Sequence, residues 1–180
     1  MRVVGIIQAR LGSKRLEGKV LADICGEPML AWLLKRVSQA KSLEQIIIAT
    51  TESPNDDVLE DWIENNTDFD CFRGNEDDVL ARYYHCAKFY KADIIVRITA
   101  DDPLKDPAII DRAVELFKEN PELDYCSNCL EFSFPEGLDV EVFRFSALCE
   151  AFEKSTLLSD REHVTSVSYT HLTLPTILRV

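Results

Sequence analysis

Short apolar runs alternate with helical patterns along most of the chain. Four mainly apolar runs predict buried strands, and they are Val3–Ile7, Gln45–Thr51, Phe69–Phe72 and Asp93–Thr99. Apolar residues that recur at helical spacing predict helices over residues 28–40, 56–66, 76–91 and 106–120. Farther along, residues 124–128 and 138–145 are predicted as strands, and residues 146–155 as the last helix.

Several of these helices have residues that favour helix ends. Pro28 and Pro54 stand in the first turn of a predicted helix, and Ser53 is a candidate N-cap. Asn75 is the candidate cap of the third helix, and Pro121 is expected to end the fourth. Because strands and helices alternate, we expect one α/β domain with a mostly parallel sheet and helices on both faces.

Parallel sheets bind ligands beyond the carboxyl ends of their strands. The loops that follow Ile7, Thr51, Phe72 and Thr99 should therefore lie along one edge of the sheet. Candidate chemistry is best sought in these four loops.

The first loop, Gln8–Leu21, concentrates positive charge. It contains four cationic residues and two glycines, namely Arg10, Lys14, Arg15 and Lys19 with Gly12 and Gly18. Cations this close repel one another unless an anion lies between them, and a loop after a strand can add backbone N–H groups to a phosphate site. The loop therefore favours a chain of phosphates as its ligand, and a solvated basic loop is the alternative.

Two known phosphate loops do not fit this stretch. The dinucleotide pattern G-x-G-x-x-G is absent. The Walker A pattern fails because five residues separate Gly12 from Gly18, and because Val20 replaces the Ser or Thr that would hold magnesium.

Composition narrows the class of ligand. The chain has 180 residues, of which 46% are hydrophobic, and a net charge of −12. We expect neither nucleic acid nor a membrane as a partner, because both require a broad positive surface, whereas a small anion needs only a local one. No apolar run approaches the roughly 20 residues of a membrane span. The N-terminal run is too short for a secretory signal, and the six cysteines are interpreted as reduced thiols, so a cytoplasmic location is predicted.

Two pairs of carboxylates are candidates for binding a divalent cation. Asp101 and Asp102 follow a predicted buried strand, where Mg²⁺ can use them together with water and substrate phosphates. Turn formation before Pro103 is the alternative. Asp139 and Glu141 lie two residues apart, so a strand would place both on one face; simple exposure of that face is the alternative.

Together, these segments resemble the sugar cytidylyltransferases. The likeness runs in order over residues 1–165, through IIQARLGSKRLEGKVLADICGEPML, FRGNEDDVLARYY, ADIIVRITADDPLKDPAIID, FPEGLDVEVF and SDREHVT. The sequence is most similar to the group of spore coat polysaccharide biosynthesis protein F. Acylneuraminate and 3-deoxy-manno-octulosonate cytidylyltransferases are wider relatives.

The resemblance implies a three-layer, Rossmann-like nucleotidyltransferase fold (the nucleotide-diphospho-sugar transferase fold) and a set of site residues. It implies catalytic roles for Arg10, Lys19 and Asp101, and a Mg²⁺ site at Asp101 and Asp139. Nucleotide contacts are implied for Ala9, Arg10, Gly12, Ser13, Lys14, Arg15, Lys19 and Arg73. The candidates for the sugar side are Glu141, Arg161 and His163, with an ordinary structural role as the alternative for His163.

The resemblance stops near Thr165. Residues 166–180, SVSYTHLTLPTILRV, do not match the family pattern. We interpret them as foreign sequence after a C-terminally truncated domain of residues 1–165, and a divergent last strand is the alternative. If they are foreign, the chain lacks a part that contributes to the sugar pocket and to dimer contacts in the family.

The sequence as a whole predicts a Mg²⁺-dependent enzyme that transfers CMP from CTP to a sugar. The products would be a CMP-sugar, for surface or spore coat polysaccharide biosynthesis, and pyrophosphate. CTP and a small sugar are the expected partners, and a homodimer is a compatible assembly. The alternatives are a nucleotide-binding module without turnover and a nucleotidyltransferase that uses another nucleoside triphosphate.

Overall fold

The computed structural model describes residues 1–13, 16–129, 134–162 and 164, and the backbone of residues 177–179. The strands are β1 (Val3–Gln8), β2 (Asp23–Ile24), β3 (Glu27–Pro28), β4 (Gln45–Thr51), β5 (Asp70–Gly74), β6 (Ile94–Thr99), β7 (Tyr125–Ser127), β8 (Glu141–Arg144) and β9 (Ile177–Arg179). The helices are α1 (Met29–Val37), α2 (Asp57–Asn66), α3 (Val79–Phe89), α4 (Pro107–Glu119), α5 (Phe145–Lys154) and α6 (Leu158–Glu162). None of the helices in this described part has both the length and the apolar composition that crossing a membrane requires.

The main sheet is mostly parallel, as predicted. Within the described residues it has seven strands in the order β5-β4-β1-β6-β8-β7-β9, and β2 pairs with β3 in a separate antiparallel ribbon. The strands β5, β4, β1 and β6 are parallel to their neighbours, and β7 is parallel to β9. Only β8, of these strands, runs antiparallel to both of its neighbours.

Apolar side chains cover both faces of the sheet, which gives the three layers. Helices α1, α2 and α4 pack on one face, where Leu33, Ile63 and Phe117 are fully buried. Helices α3 and α5 pack on the other face, with Tyr83 and Leu148 in the core. Burial of each such side chain stabilises the fold by about 2 kcal/mol relative to exposure, which is why a parallel sheet needs helices on both sides.

The start of α3 differs from the predicted one. The N-cap of α3 is Asp78, whose side chain accepts a hydrogen bond from the N–H of Ala81 at 2.9 Å. Asn75 accepts from the N–H groups of Asp77 and Asp78 at 2.9 and 2.8 Å, so it closes the turn before the helix. The prediction of Asn75 as the cap was wrong because this local turn competes with the helix. Ser53 lies at the N-cap of a short 3₁₀ helix without a side-chain capping bond.

The carboxyl ends of β1 and β6 and the beginning of β8 lie at one edge of the sheet. Gln8 at the end of β1 lies opposite Thr99 at the end of β6. Because β8 is antiparallel, its first residue Glu141 lies at the same edge, opposite Arg97. The loops after β1 and β6 and the turn before β8 therefore meet there.

Candidate active site

The loop after β1 is fixed at its base by a buried carboxylate. Asp56 is 2% exposed and accepts hydrogen bonds from the N–H of Leu11, at 2.7 Å, and from the hydroxyl of Thr51. The N–H of Gly18 donates to the carbonyl of Leu11 at 2.9 Å, and its φ of 67° lies in the left-handed region that favours glycine. Sequence reasoning missed Asp56 because its place in the first turn of a helix explained it equally well.

A cavity of about 380 Å³ opens between this loop and the end of β6. We call it the nucleotide cavity. Four of the predicted site residues line it, and they are Arg10, Ser13, Lys19 and Asp101. The other lining residues are Gln8, Val20, Thr99, Ala100 and Glu162. Lys19 Nζ donates to Asp101 Oδ2 at 2.6 Å, so the basic loop and the first acidic pair meet directly.

The ion pair with Lys19 lowers the pKa of Asp101. Burial alone would raise the pKa of Asp101, but the hydrogen bond and the charge of Lys19 outweigh it and hold the pKa below its usual value. The side chains of Lys19 and Asp101 are 32% and 48% exposed, so solvent screens the pair and it contributes little to stability. Breaking this ion pair therefore costs little free energy. The ammonium of Lys19 is then able to contact a phosphate, and the carboxylate of Asp101 a cation.

A second cavity of about 210 Å³ adjoins the first on the β8 side. We call it the β8 cavity, and it is lined by Arg97, Thr99, Asp102, Lys105, Cys129, Asp139 and Glu141. Thr99 lines both cavities, so they are neighbours. Asp139 therefore lies in the cavity beside the one that contains Asp101. Burial raises the pKa of Asp139 above its usual value; the charge of Lys105 opposes this shift and that of Asp102 adds to it.

The carboxylates fit a Mg²⁺ ion that is held partly by substrate. Asp101 and Asp139 offer the hard oxygen ligands that Mg²⁺ prefers. Across the part of the chain that the structure describes, no group of three or more His, Cys, Asp or Glu side chains is arranged to hold a metal ion. Mg²⁺ is commonly bound through one or two protein carboxylates, with phosphates and water as its other ligands, and Asp101 and Asp139 are the residues that would supply the carboxylates.

Glu141 is a mostly buried carboxylate that lines the β8 cavity. It is 7% exposed, and it accepts hydrogen bonds from the guanidinium of Arg97 and from the hydroxyl of Tyr125, the latter at 2.7 Å. Because β8 begins at Glu141, Asp139 lies in the turn before the strand and not on it as predicted, but both residues line the β8 cavity. Arg97 was overlooked, although one charged residue within an apolar strand indicates a buried partner.

The guanidinium of Arg73 contacts a different part of the fold. Its Nε and one terminal nitrogen donate to the carbonyls of Thr51 and Ser53, both at 2.8 Å. Ion pairs join it to Asp57 at 2.7 Å and to Glu60 at 2.6 Å. Arg73 lines neither the nucleotide cavity nor the β8 cavity, so the structure does not bring it together with the other predicted nucleotide ligands.

Arg161 lies beside the nucleotide cavity. It lines a third cavity, of about 480 Å³, which shares Gln8, Arg10 and Glu162 with the nucleotide cavity. Its Nε donates to Asp78 Oδ2 at 2.6 Å, so its charge is balanced by a carboxylate before any ligand binds.

The remaining predicted residues are less informative. Ala9 is 2% exposed, and Gly12 is exposed but has no side chain. Any contact of these two residues with a ligand would therefore be made by the main chain. Lys14, Arg15 and His163 lie outside the described residues.

Comparison with known proteins finds relatives that match nearly the whole chain. The profile of a family described as Cytidylyltransferase matches residues 4–179, so the matched range ends beyond residue 165. The origin of residues 166–180 stays a prediction. The spore coat polysaccharide biosynthesis protein SpsF of Bacillus subtilis is 33% identical over 171 residues, covering 89% of this chain and 70% of that protein.

Two solved structures extend the comparison. A cytidylyltransferase from Leptospira borgpetersenii has a TM-score of 0.92 and 35% identity, covering 98% of this chain and 75% of the other. A CMP:2-keto-3-deoxy-manno-octonic acid synthetase in complex with CTP has a TM-score of 0.77 at 15% identity, over all of this chain and 89% of the other, and it shows the shared nucleotidyltransferase fold. Because the family profile matches nearly the whole chain and the fold agrees, this protein belongs to the cytidylyltransferase family.

Proposed function

We propose that the protein is a Mg²⁺-dependent enzyme that transfers CMP from CTP to a sugar hydroxyl and releases pyrophosphate. The observation that carries this proposal is the pair of Lys19 and Asp101, 2.6 Å apart in the nucleotide cavity. The Lys19 ammonium, which is suited to bind a phosphate, lies directly beside the Asp101 carboxylate, which is suited to bind a metal ion. The names of similar proteins support CTP as the nucleotide and polysaccharide biosynthesis as the pathway.

The basic residues of the nucleotide cavity bind phosphates, and the carboxylates at the site would bind the metal ion. Arg10 and Lys19 bind the triphosphate, and the Ser13 hydroxyl and the N–H groups of the loop donate hydrogen bonds to it. Asp101 and Asp139 are the residues that would hold Mg²⁺. Bound Mg²⁺ supplies charge neutralisation at the α-phosphate.

The acceptor enters from the β8 cavity, which adjoins the nucleotide cavity at Thr99. The hydroxyl oxygen of the sugar forms a bond to the α-phosphorus while the bond from that phosphorus to the bridging oxygen breaks. Pyrophosphate leaves with the bonding electrons, and the hydroxyl proton is released to water. Positioning and charge stabilisation provide the catalysis, without a covalent enzyme intermediate. A cytoplasmic location and a homodimer stay predictions.

The proposal is tested first by nucleotide preference. Thermal unfolding is measured with CTP, UTP, GTP and ATP, each with Mg²⁺, and CTP is expected to give the largest rise in Tm, because a ligand stabilises only the state that binds it. Pyrophosphate release from CTP is then measured across a panel of neutral, amino and acidic sugars.

Two results would contradict the proposal in different ways. Equal shifts with all four nucleotides would remove the cytidylyl assignment and favour another nucleotidyltransferase. A clear shift with CTP, but no pyrophosphate release with any sugar in the panel, would favour a nucleotide-binding module without turnover.

A further inference from the structure

We infer that Lys105 is a positioning residue of this site: its buried ammonium fixes the turn that contains Asp139 against the loop after β6, and thereby presents the Asp139 carboxylate to the metal. The inference rests on the proposed function, because Asp139 is a metal ligand only within it.

Lys105 joins two segments that are distant in sequence. Its side chain is 1% exposed, and its Nζ donates to Asp102 Oδ2 at 2.9 Å and to the carbonyl oxygen of Asp139 at 2.6 Å. The hydroxyl of Thr99 donates to the same oxygen of Asp102 at 2.8 Å, and Arg36 Nε donates to the carbonyl of Lys105 at 2.7 Å. The carboxylate that accepts from the ammonium and the main chain of Lys105 are thus each held by a further hydrogen bond.

The turn around Asp139 is also fixed from the opposite direction. Asn128 is 4% exposed; its amide nitrogen donates to the carbonyl of Leu138 at 3.0 Å, and its amide oxygen accepts from the N–H of Val140 at 2.7 Å. Lys105 holds the residue between them. The residues on either side of Asp139 and its own carbonyl are therefore all held by hydrogen bonds, and Asp139 lines the β8 cavity.

Stability alone is a poor reason for this lysine. Removing an ammonium from water is costly, and an apolar side chain of similar volume would fill the same space without that cost. A group that orients a metal ligand contributes to metal affinity instead of stability. Loss of such an outer-shell partner typically lowers metal affinity about 10- to 100-fold.

The test measures Mn²⁺ binding directly. Free Mn²⁺ is quantified by electron paramagnetic resonance in the presence of CTP, for the wild type, Lys105→Met and the control Lys118→Met, which removes an exposed lysine of α4. We expect Lys105→Met to weaken Mn²⁺ binding at least tenfold and Lys118→Met to leave it unchanged. The direction of the change in Mn²⁺ affinity separates two effects of Lys105→Met. Removal of a nearby positive charge would by itself strengthen cation binding, so weaker binding indicates loss of positioning.

Each outcome decides the inference. Wild-type affinity or tighter binding in Lys105→Met, while the wild type binds Mn²⁺ with CTP, overturns the role of Lys105 and leaves the proposed function standing. Failure of the wild type to bind Mn²⁺ with CTP overturns both. CTP affinity without metal, measured by calorimetry, should be unchanged, and an equal loss there would mean a general structural role. If Lys105→Met does not fold, Lys105→Leu, which also removes the hydrogen-bond donor, is measured in the same way.

Discussion

Arg73 offers the sharpest separation between a binding role and a structural one. Its resemblance to a family arginine predicts a nucleotide contact, whereas its guanidinium is 23% exposed and engaged by two carbonyls and two carboxylates. Replacement by Met keeps much of the aliphatic volume and removes all four contacts. We therefore expect Arg73→Met to lower stability and to leave CTP affinity unchanged.

The loss of stability expected for Arg73→Met follows from the contacts of its guanidinium. The two carbonyl bonds from a charged donor set the scale, at about 1.5 kcal/mol each. The carboxylates of Asp57 and Glu60 are 58% and 29% exposed, so solvent screens them and they add little. A loss of about 3 kcal/mol corresponds to a fall in Tm of roughly 6–12 °C for a chain of this size.

The assay combines thermal unfolding, followed by circular dichroism, with calorimetric titration of CTP and Mg²⁺. Arg112→Met is the matched control, because Arg112 is 56% exposed and its nearest carboxylate oxygen, on Glu115, is 3.7 Å away. The control should change stability by less than about 0.5 kcal/mol. If Arg73→Met kept the wild-type Tm but bound CTP at least ten times more weakly, the structural reasoning would be refuted and the nucleotide contact supported.

Two further predictions concern ionisable groups. Asp101→Asn should reduce pyrophosphate release at least about a hundredfold while Tm stays within about 2 °C, because the lost ion pair with Lys19 is partly exposed; a rate within threefold of the wild type would remove Asp101 from the catalytic residues. Burial raises the pKa of Cys86 to about 12 and that of Cys126 to about 11. The folded state favours the neutral thiols, so their contribution to stability is present below the unfolded pKa, near 8.5, and is lost as pH rises toward the folded values. Thermal unfolding should therefore show Tm falling above about pH 9, and a constant Tm up to about pH 11 would contradict this.

Local patterns were sufficient for most elements of the fold and for one side of the site. Strands β1, β4 and β6 and helices α1, α2 and α4 lie where the apolar periodicity predicts them, and the loop after β1 meets the loop after β6. The contact of Lys19 with Asp101 follows from this arrangement, because parallel strands that are neighbours bring the residues after their carboxyl ends together.

Side-chain partners were less predictable than the elements. Arg73 was predicted in the loop after a strand, but it lies within β5, and its guanidinium turns to the carbonyls of Thr51 and Ser53. The sequence analysis did not identify Lys105, whose ammonium is buried against Asp102 and Asp139. Neither direction is encoded in residue spacing, because each depends on which polar groups the folded chain leaves within reach.

The sequence by itself determined the α/β class, the mostly parallel sheet and the positive loop, since periodicity and local charge are properties of neighbouring residues. Only the tertiary structure decided that β8 runs antiparallel, because alternation along a strand carries no information about direction. That direction puts Glu141 at the ligand-binding edge opposite Arg97 and places the turn of Asp139 beside the loop after β6. Contacts between such distant segments exist only after the chain has closed, and in this protein they decide which charged groups face a ligand and which hold the site together.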